Sequence, residues 1–185
     1  MAQAKSAAPP DFILYIDKGE IIMRPIKVIG VEKKLEFRGG YTSDEIERIK
    51  KVHGIYAAFA CIYDENENIY ECINLVYIGK GGGTSNVYER ISKHVNNDKN
   101  EAESGKQCNW ERDYCRNGEV IVYVYAECNT DFQSLEDIEA ALIYRNQPKA
   151  NSIGKDRYTG RAWSVNVECT GEKGMIANEV KVFRI

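Results

Sequence analysis

The stretch HGIYAAFACIYDENENIYECINLVYIGKGGG, residues 53–83, decides the fold. Ile55 to Tyr63 and Ile69 to Ile78 are long apolar runs, rich in the β-branched and aromatic residues that favour strands. Asp64-Glu65-Asn66-Glu67-Asn68 between them is polar turn sequence, so the two runs read as a hairpin. Gly79 to Ser85 follows as an irregular, glycine-rich loop.

Downstream, Asn86 with Glu89 is an N-terminal capping signal, and Val87, Ile91 and Val95 form one apolar stripe. A helix is expected over about residues 87–96, with Arg90 and His94 four apart on one face. Residues 98–119 are polar, with a weak helical pattern from Trp110 to Cys115. Val120 to Ala126 reads as a strand. Ser134 with Asp137 reads as the cap of a helix over about 135–146 that stops before Pro148. Ala162 to Val167 and Val180 to Ile185 are strand-like.

Upstream, Phe12 to Ile16 and Ile21 to Val31 flank Asp17-Lys18-Gly19-Glu20 and predict a first hairpin. Leu35 to Phe37 suggests a short strand. Thr42 with Glu45, followed by Ile46, Ile49 and Val52, predicts a helix over about 44–52. The whole is an α+β chain, with a small antiparallel or mixed central sheet flanked by helices. Its segments are a tail, β-hairpin and short helix (1–52), a core (53–152) and a basic loop with strands (153–185). No linker separates them, so one domain is expected.

Composition limits the functions available. The 185 residues carry 25 Lys plus Arg against 28 Asp plus Glu, a net charge of -3. Hydrophobic residues make up 43% and charged residues 29%, which is ordinary globular composition. A nucleic-acid coating protein would be basic throughout, so any such site here must be a local basic groove. No apolar run approaches the ~18 residues of a membrane span. The start MAQAKSAAPPDF lacks the apolar core of a secretory signal and reads as a short mobile tail. The six cysteines (Cys61, Cys72, Cys108, Cys115, Cys128 and Cys169) form no C-x-x-C pair. Cys108 and Cys115 are the nearest two, without the partners a zinc site needs. Buried thiols in a reducing cytoplasm are expected.

One ordered set of residues points to chemistry. Gly54-Ile55-Tyr56 lies on the first strand of the hairpin and Tyr77-Ile78-Gly79 ends the second. Arg90-x-x-x-His94 follows on the next helix, then Glu139-Ala140-Ala141-Leu142-Ile143 leading to Gln147-Pro148-Lys149-Ala150-Asn151. This set resembles the GIY-YIG nuclease family over roughly residues 53–152. The resemblance implies a GIY-YIG-like core and hydrolysis of phosphodiester bonds, with DNA as the substrate class. It also implies 5′-phosphate and 3′-hydroxyl products and one Mg2+ or Mn2+ per active site.

Phosphodiester hydrolysis needs an activated water, a cation near the phosphate and stabilisation of the developing charge. The resemblance makes Glu139 the metal ligand, and magnesium commonly binds through one or two carboxylates plus phosphate oxygens. It makes Arg90 the donor to a nonbridging oxygen, and puts Tyr56 and Tyr77 in the active site. A phenol with an ordinary pKa near ~10 needs cations nearby to act as base, and Lys80 and His94 are the sequence's candidates. His94 can also relay a proton or contact phosphate. Asn151 orients neighbours through hydrogen bonds. The alternative for each is ordinary: a solvated helix charge, a packing tyrosine, a turn residue.

Lys80 precedes its glycines, so the Walker pattern is absent and a nucleotide-binding P-loop is rejected. The glycines instead suit close approach of a nucleic-acid backbone. Arg145, Lys149, Lys155, Arg157 and Arg161, with Tyr158 and Trp163 interleaved, form the local basic patch. The expected protein is therefore a metal-dependent endonuclease on nucleic acid, of restriction, repair or phage-related type. It would be cytoplasmic, without membrane contact, and double-stranded DNA and a homodimer are its conceivable partners. The competing readings are a catalytically silent nucleic-acid-binding module, a protein-interaction module, and a nuclease active only within a larger complex.

Overall fold

The structure is a computed structural model, and it describes residues 12–17, 20–25, 30–99, 110–116 and 118–184. The tail ending at Pro9-Pro10, and Cys108, lie outside the described residues. The described elements are β1 (Phe12–Asp17), β2 (Glu20–Pro25), β3 (Gly30–Thr42), β4 (Gly54–Asp64), β5 (Ile69–Gly81), α1 (Val87–Lys99), α2 (Trp110–Tyr114), β6 (Glu119–Glu127), α3 (Phe132–Asn146), β7 (Ser164–Gly171) and β8 (Glu179–Phe183).

β1 and β2 pair antiparallel as their own two-stranded sheet. The other six strands form one sheet in the order β5-β4-β6-β3-β7-β8. All its pairings are antiparallel except β3 with β7, so the sheet is mixed. The α+β class expected from sequence is thus observed.

Alternation along the central strands sets the two faces. Ile55, Ala57, Phe59 and Cys61 of β4 join one buried cluster, with Val122, Val124 and Ala126 of β6. Tyr56, Ala58 and Ala60 join the other, with Ile121, Tyr123 and Tyr125. Leu135, Ile138, Ala141 and Leu142 of α3 cover the first face. Val87, Ile91 and Val95 of α1 and Trp110 of α2 cover the second. Gly54 has no room for a side chain: a Cβ there would meet the Ala126 carbonyl oxygen at 2.0 Å.

Several local expectations are corrected. β3 is a 13-residue strand rather than a short one at Leu35 to Phe37, because it bonds β6 over its second half and β7 over its first. The helix expected over 44–52 is only a 3-10 turn at Ile46–Arg48. Ile46, Ile49 and Val52 are spaced strictly by three, the period of a 3-10 turn rather than of an α-helix. α3 begins three residues earlier than expected. Its N-cap is Asp131, whose carboxylate accepts from the Ser134 amide at 2.9 Å, and not Ser134. The loop after Gly79 is shorter than expected, since β5 runs to Gly81 and Gly82 bridges Ser85 in a tight turn. The Asn86–Glu89 cap holds in both directions: the Glu89 amide donates to Asn86 Oδ1 at 2.9 Å, and the Asn86 amide donates to Glu89 Oε2 at 3.2 Å.

The β4–β5 pairing contains two irregularities that matter for the site. Ala58 pairs with Tyr77 and Phe59 with Leu75, so Val76 is an extra residue on β5. Val76 and Tyr77 consequently pack on the same face, and Tyr77 is brought beside Tyr56.

Candidate functional site

The cleft lies at the β5 edge of the sheet, where α1 and α2 from one face approach α3 from the other. Residues 149–151 run along that edge. The Lys149 amide donates to the Leu75 carbonyl at 3.1 Å and the Ala150 amide to the Val76 carbonyl at 2.7 Å. The cleft has a volume of about 640 Å³, and its walls include Tyr77, Lys80, His94, Glu136, Glu139 and Arg161.

Tyr56 is fully buried, and its hydroxyl shares a 2.9 Å hydrogen bond with His94 Nε2. Gly79 permits this packing, since a Cβ there would sit 2.6 Å from the Tyr56 hydroxyl. Burial first, and then the neighbouring Tyr77, holds the Tyr56 phenol well above its ordinary pKa. Arg90, which hydrogen-bonds Tyr56, opposes that shift without overcoming it. The phenol therefore stays protonated at neutral pH. It cannot meet bulk water, so its part is to orient His94.

His94 is neutral at the same pH. Burial, reinforced by the positive charge of Arg90, pushes its pKa down to about 4. This corrects the expectation that His94 is one of the cations that activate a tyrosine. The imidazole stacks on Trp110 at 4.3 Å between ring centroids and lies 5.3 Å from Tyr77. Tyr77 in turn lies 4.9 Å from Trp110 and 6.0 Å from Tyr56. Trp110 was not foreseen as part of the site. The available signal was a single tryptophan inside a polar segment, where a buried aromatic has to find partners.

Lys80 is also not free to act on a tyrosine. Its Nζ lies 2.6 Å from Glu139 Oε2 and 3.6 Å from Glu136 Oε1, with both the Lys80 and Glu139 side chains under 20% exposed (19% and 18%). Its ammonium also lies over the Phe132 ring at 5.5 Å. Glu136 and Glu139 stand three apart on α3 and both face Lys80. Among the described residues no group of three or more His, Cys, Asp or Glu is gathered for a metal. The donors that remain are the hard oxygens of Glu139 with Glu136 beside it. That set fits a magnesium-like ion completed by water, which commonly uses only one or two carboxylates. Such an ion and the Lys80 ammonium would compete for one carboxylate.

Asn151 is buried and both ends of its amide are engaged. Oδ1 accepts from the Ile78 amide and Nδ2 donates to the Ile78 carbonyl, each at 2.9 Å. It therefore clamps the middle of the Tyr77-Ile78-Gly79 triplet and holds Tyr77 in place. Arg90 is exposed on α1, one turn before His94.

The basic run divides. Arg161 lines the cleft, while Arg157 lines a separate cleft of about 510 Å³ with Tyr144, Tyr158, Phe183 and Arg184. The Lys155 ammonium turns back to the Pro148 carbonyl at 3.2 Å. Arg145 and Lys149 are exposed, and neither lines the first cleft. What fixes the loop is Asp137, expected from sequence as a capping partner. It is 2% exposed, accepts from the Arg161 amide at 2.5 Å, and accepts from the Tyr158 hydroxyl at 3.4 Å. Among the described residues no helix is long and apolar enough to cross a membrane.

No family model matches the chain, and it has no significant match among curated proteins or solved structures.

Proposed function

We propose that the protein is a divalent-metal-dependent endonuclease of GIY-YIG-like type, acting on DNA. The observation that carries this reading is the convergence of Tyr77 and Lys80 of β5, His94 of α1 and Glu139 of α3 on one cleft, with Arg90 of α1 beside it. A packing role alone would not draw a neutral imidazole, an ammonium and two carboxylates to the same opening.

In this reading Arg161 and Arg90 hold the phosphate from two sides. The planar fork of Arg90 stabilises the charge that develops on the nonbridging oxygens. His94, held by Tyr56 and Trp110, takes a proton from the attacking water; its neutral state at pH 7 leaves it able to accept one. Tyr77 positions that water. Glu139, with Glu136 adjacent, would hold the divalent ion, which supplies Lewis acidity at the phosphate. Lys80 neutralises the carboxylates of Glu139 and Glu136 and would add positive charge beside the phosphate.

The Lys80–Glu139 pair also favours a second reading. A carboxylate already satisfied by an internal ammonium suits a module that binds nucleic acid without cutting it. One experiment separates the two. Supercoiled plasmid and mixed genomic DNA are incubated with wild type and with Glu139→Ala, in Mg2+, Mn2+ or chelator. Metal-dependent cleavage that is lost in the variant supports the nuclease. DNA binding by both proteins, with no cleavage of either substrate, supports the silent module.

A further inference from the structure

Cys61 of β4 and Cys72 of β5 stand directly opposite each other in the hairpin register, with their sulfurs 3.4 Å apart. The pair sits immediately after the second irregularity of the β4–β5 ladder, between Ala60 and Cys61. Directly opposed residues on antiparallel strands have Cα atoms about 4.5–5.5 Å apart, inside the range that a disulfide spans. No strand has to move to join these two sulfurs.

The two thiols are unequal. Cys61 is fully buried, and its S–H donates to the Cys72 sulfur. Cys72 is half-buried and opens onto a cleft of about 870 Å³ that also touches Tyr63, Tyr70, Glu45 and Glu172. The hydrogen bond from Cys61 lowers the Cys72 pKa, against the opposing effects of burial and Glu71. The same bond raises that of Cys61, as do burial and the neighbouring Cys115 and Glu119. A half-buried thiol that opens onto a cleft, backed by a second thiol in contact, is the arrangement of a redox-sensitive pair. Cys115, Cys128 and Cys169 have raised pKa values, chiefly from burial.

We propose that Cys72 and Cys61 form a two-electron oxidation site for small hydroperoxides, in which Cys72 is attacked first and Cys61 resolves it to a disulfide. The Cys72 thiolate attacks the terminal peroxide oxygen. The O–O bond breaks, the alcohol or water leaves with the proton, and Cys72 becomes a sulfenic acid. The Cys61 sulfur then attacks the Cys72 sulfur. The S–S bond forms, the S–O bond breaks, and hydroxide leaves as water with the Cys61 proton. The two sulfurs lose two electrons and the peroxide gains them. The resulting bond ties β4 to β5 across the hairpin turn, at the end away from Tyr56 and Gly79. It does not depend on the nuclease reading.

The test uses the full, reduced chain exposed to hydrogen peroxide and then digested without reductant. A peptide linking Cys61 to Cys72, lighter by about 2 Da than the two thiol peptides together and reversed by dithiothreitol, is expected. It should accumulate before any other cysteine is modified, and the oxidised chain should melt at a higher temperature. In Cys61→Ser, Cys72 should be trapped as a sulfenic acid that dimedone labels; in Cys72→Ser, Cys61 should stay unlabelled. Thermal melts of both variants establish that they are folded. Oxidation of Cys72 in wild type to sulfinic acid without the link overturns the proposal, as does earlier oxidation of Cys115, Cys128 or Cys169.

Discussion

The Lys80 ammonium lies 2.6 Å from the Glu139 carboxylate, and the two meet on the α3 side of the sheet from positions 59 residues apart. Lys80 sits at the end of β5, while Glu139 is on α3 beyond β6. A cation is thus already in place where the proposed reaction needs one. At an effective dielectric near 20, a unit charge 4 Å away is worth about 4 kcal/mol, so removing Lys80 should favour a metal on Glu139. Lys80→Met is expected to bind Mn2+ at least about tenfold more tightly than wild type, and Glu139→Gln to lose that binding. Manganese titration followed by electron paramagnetic resonance checks both. Equal affinities in Lys80→Met and wild type would dissociate the ion from Glu139.

The acid sensitivity of the fold should be visible in His94. Its folded pKa of about 4 lies below the ordinary 6.5. Below pH 6.5 the unfolded chain takes up a proton that the folded chain refuses, so the stabilising contribution is complete above that pH. It is lost as pH falls from 6.5 towards 4, by about 3 kcal/mol at the low end. Urea unfolding at stepped pH should show this slope in wild type and a flatter one in His94→Gln. Parallel slopes would mean that His94 is protonated in the folded protein.

Asn151 holds the β5 edge through its side-chain amide. Replacing it with Leu removes two hydrogen bonds and leaves the Ile78 amide and carbonyl buried without them. A loss of about 2–4 kcal/mol is expected. Tyr77 fluorescence and ring resonances should move with it, because the clamp sits next to that ring. Unfolding free energies for Asn151→Leu near those of wild type would remove Asn151 from its positioning role.

How much of this was legible depends on the length scale of each signal. The β4–β5 hairpin, β6, α1 and α3 follow from apolar patterning over seven or more residues, and the structure has them. The Asn86–Glu89 cap was legible because it needs only two residues three apart. The 44–52 helix was not, since Ile46, Ile49 and Val52 read alike in α and 3-10 periods over so short a segment. β3 looked short because its charged residues alternate with Val31, Leu35 and Phe37, and only the distant β6 and β7 reveal it as a central strand. At the site, the residue types were legible and their states were not. That His94 is neutral, that Tyr56 is sealed from water and that Lys80 is paired all depend on burial and on neighbours tens of residues away.

Asp137 acts wholly through contacts that sequence spacing hides. It is a carboxylate at 2% exposure on the same helix as Glu139, and it holds the 158–161 segment through the Arg161 amide and the Tyr158 hydroxyl. That contact also raises the Tyr158 pKa, although burial is the larger cause. Removing the acceptor leaves the Arg161 amide without it, while relieving a buried carboxylate, so the global cost of Asp137→Ala is held to about 1–3 kcal/mol. The local effect should be larger than the global one. Lys155, Arg157 and Arg161 all lie in or beside the released segment, so trypsin should cut Asp137→Ala there faster than wild type at temperatures well below either melt. Asp137→Asn keeps an oxygen acceptor and should fall between the two. If trypsin cleaves all three at the same rate, the segment is held by the Gly160 region or the β7 pairing rather than by Asp137. Arg161 would then reach the cleft without the help of α3.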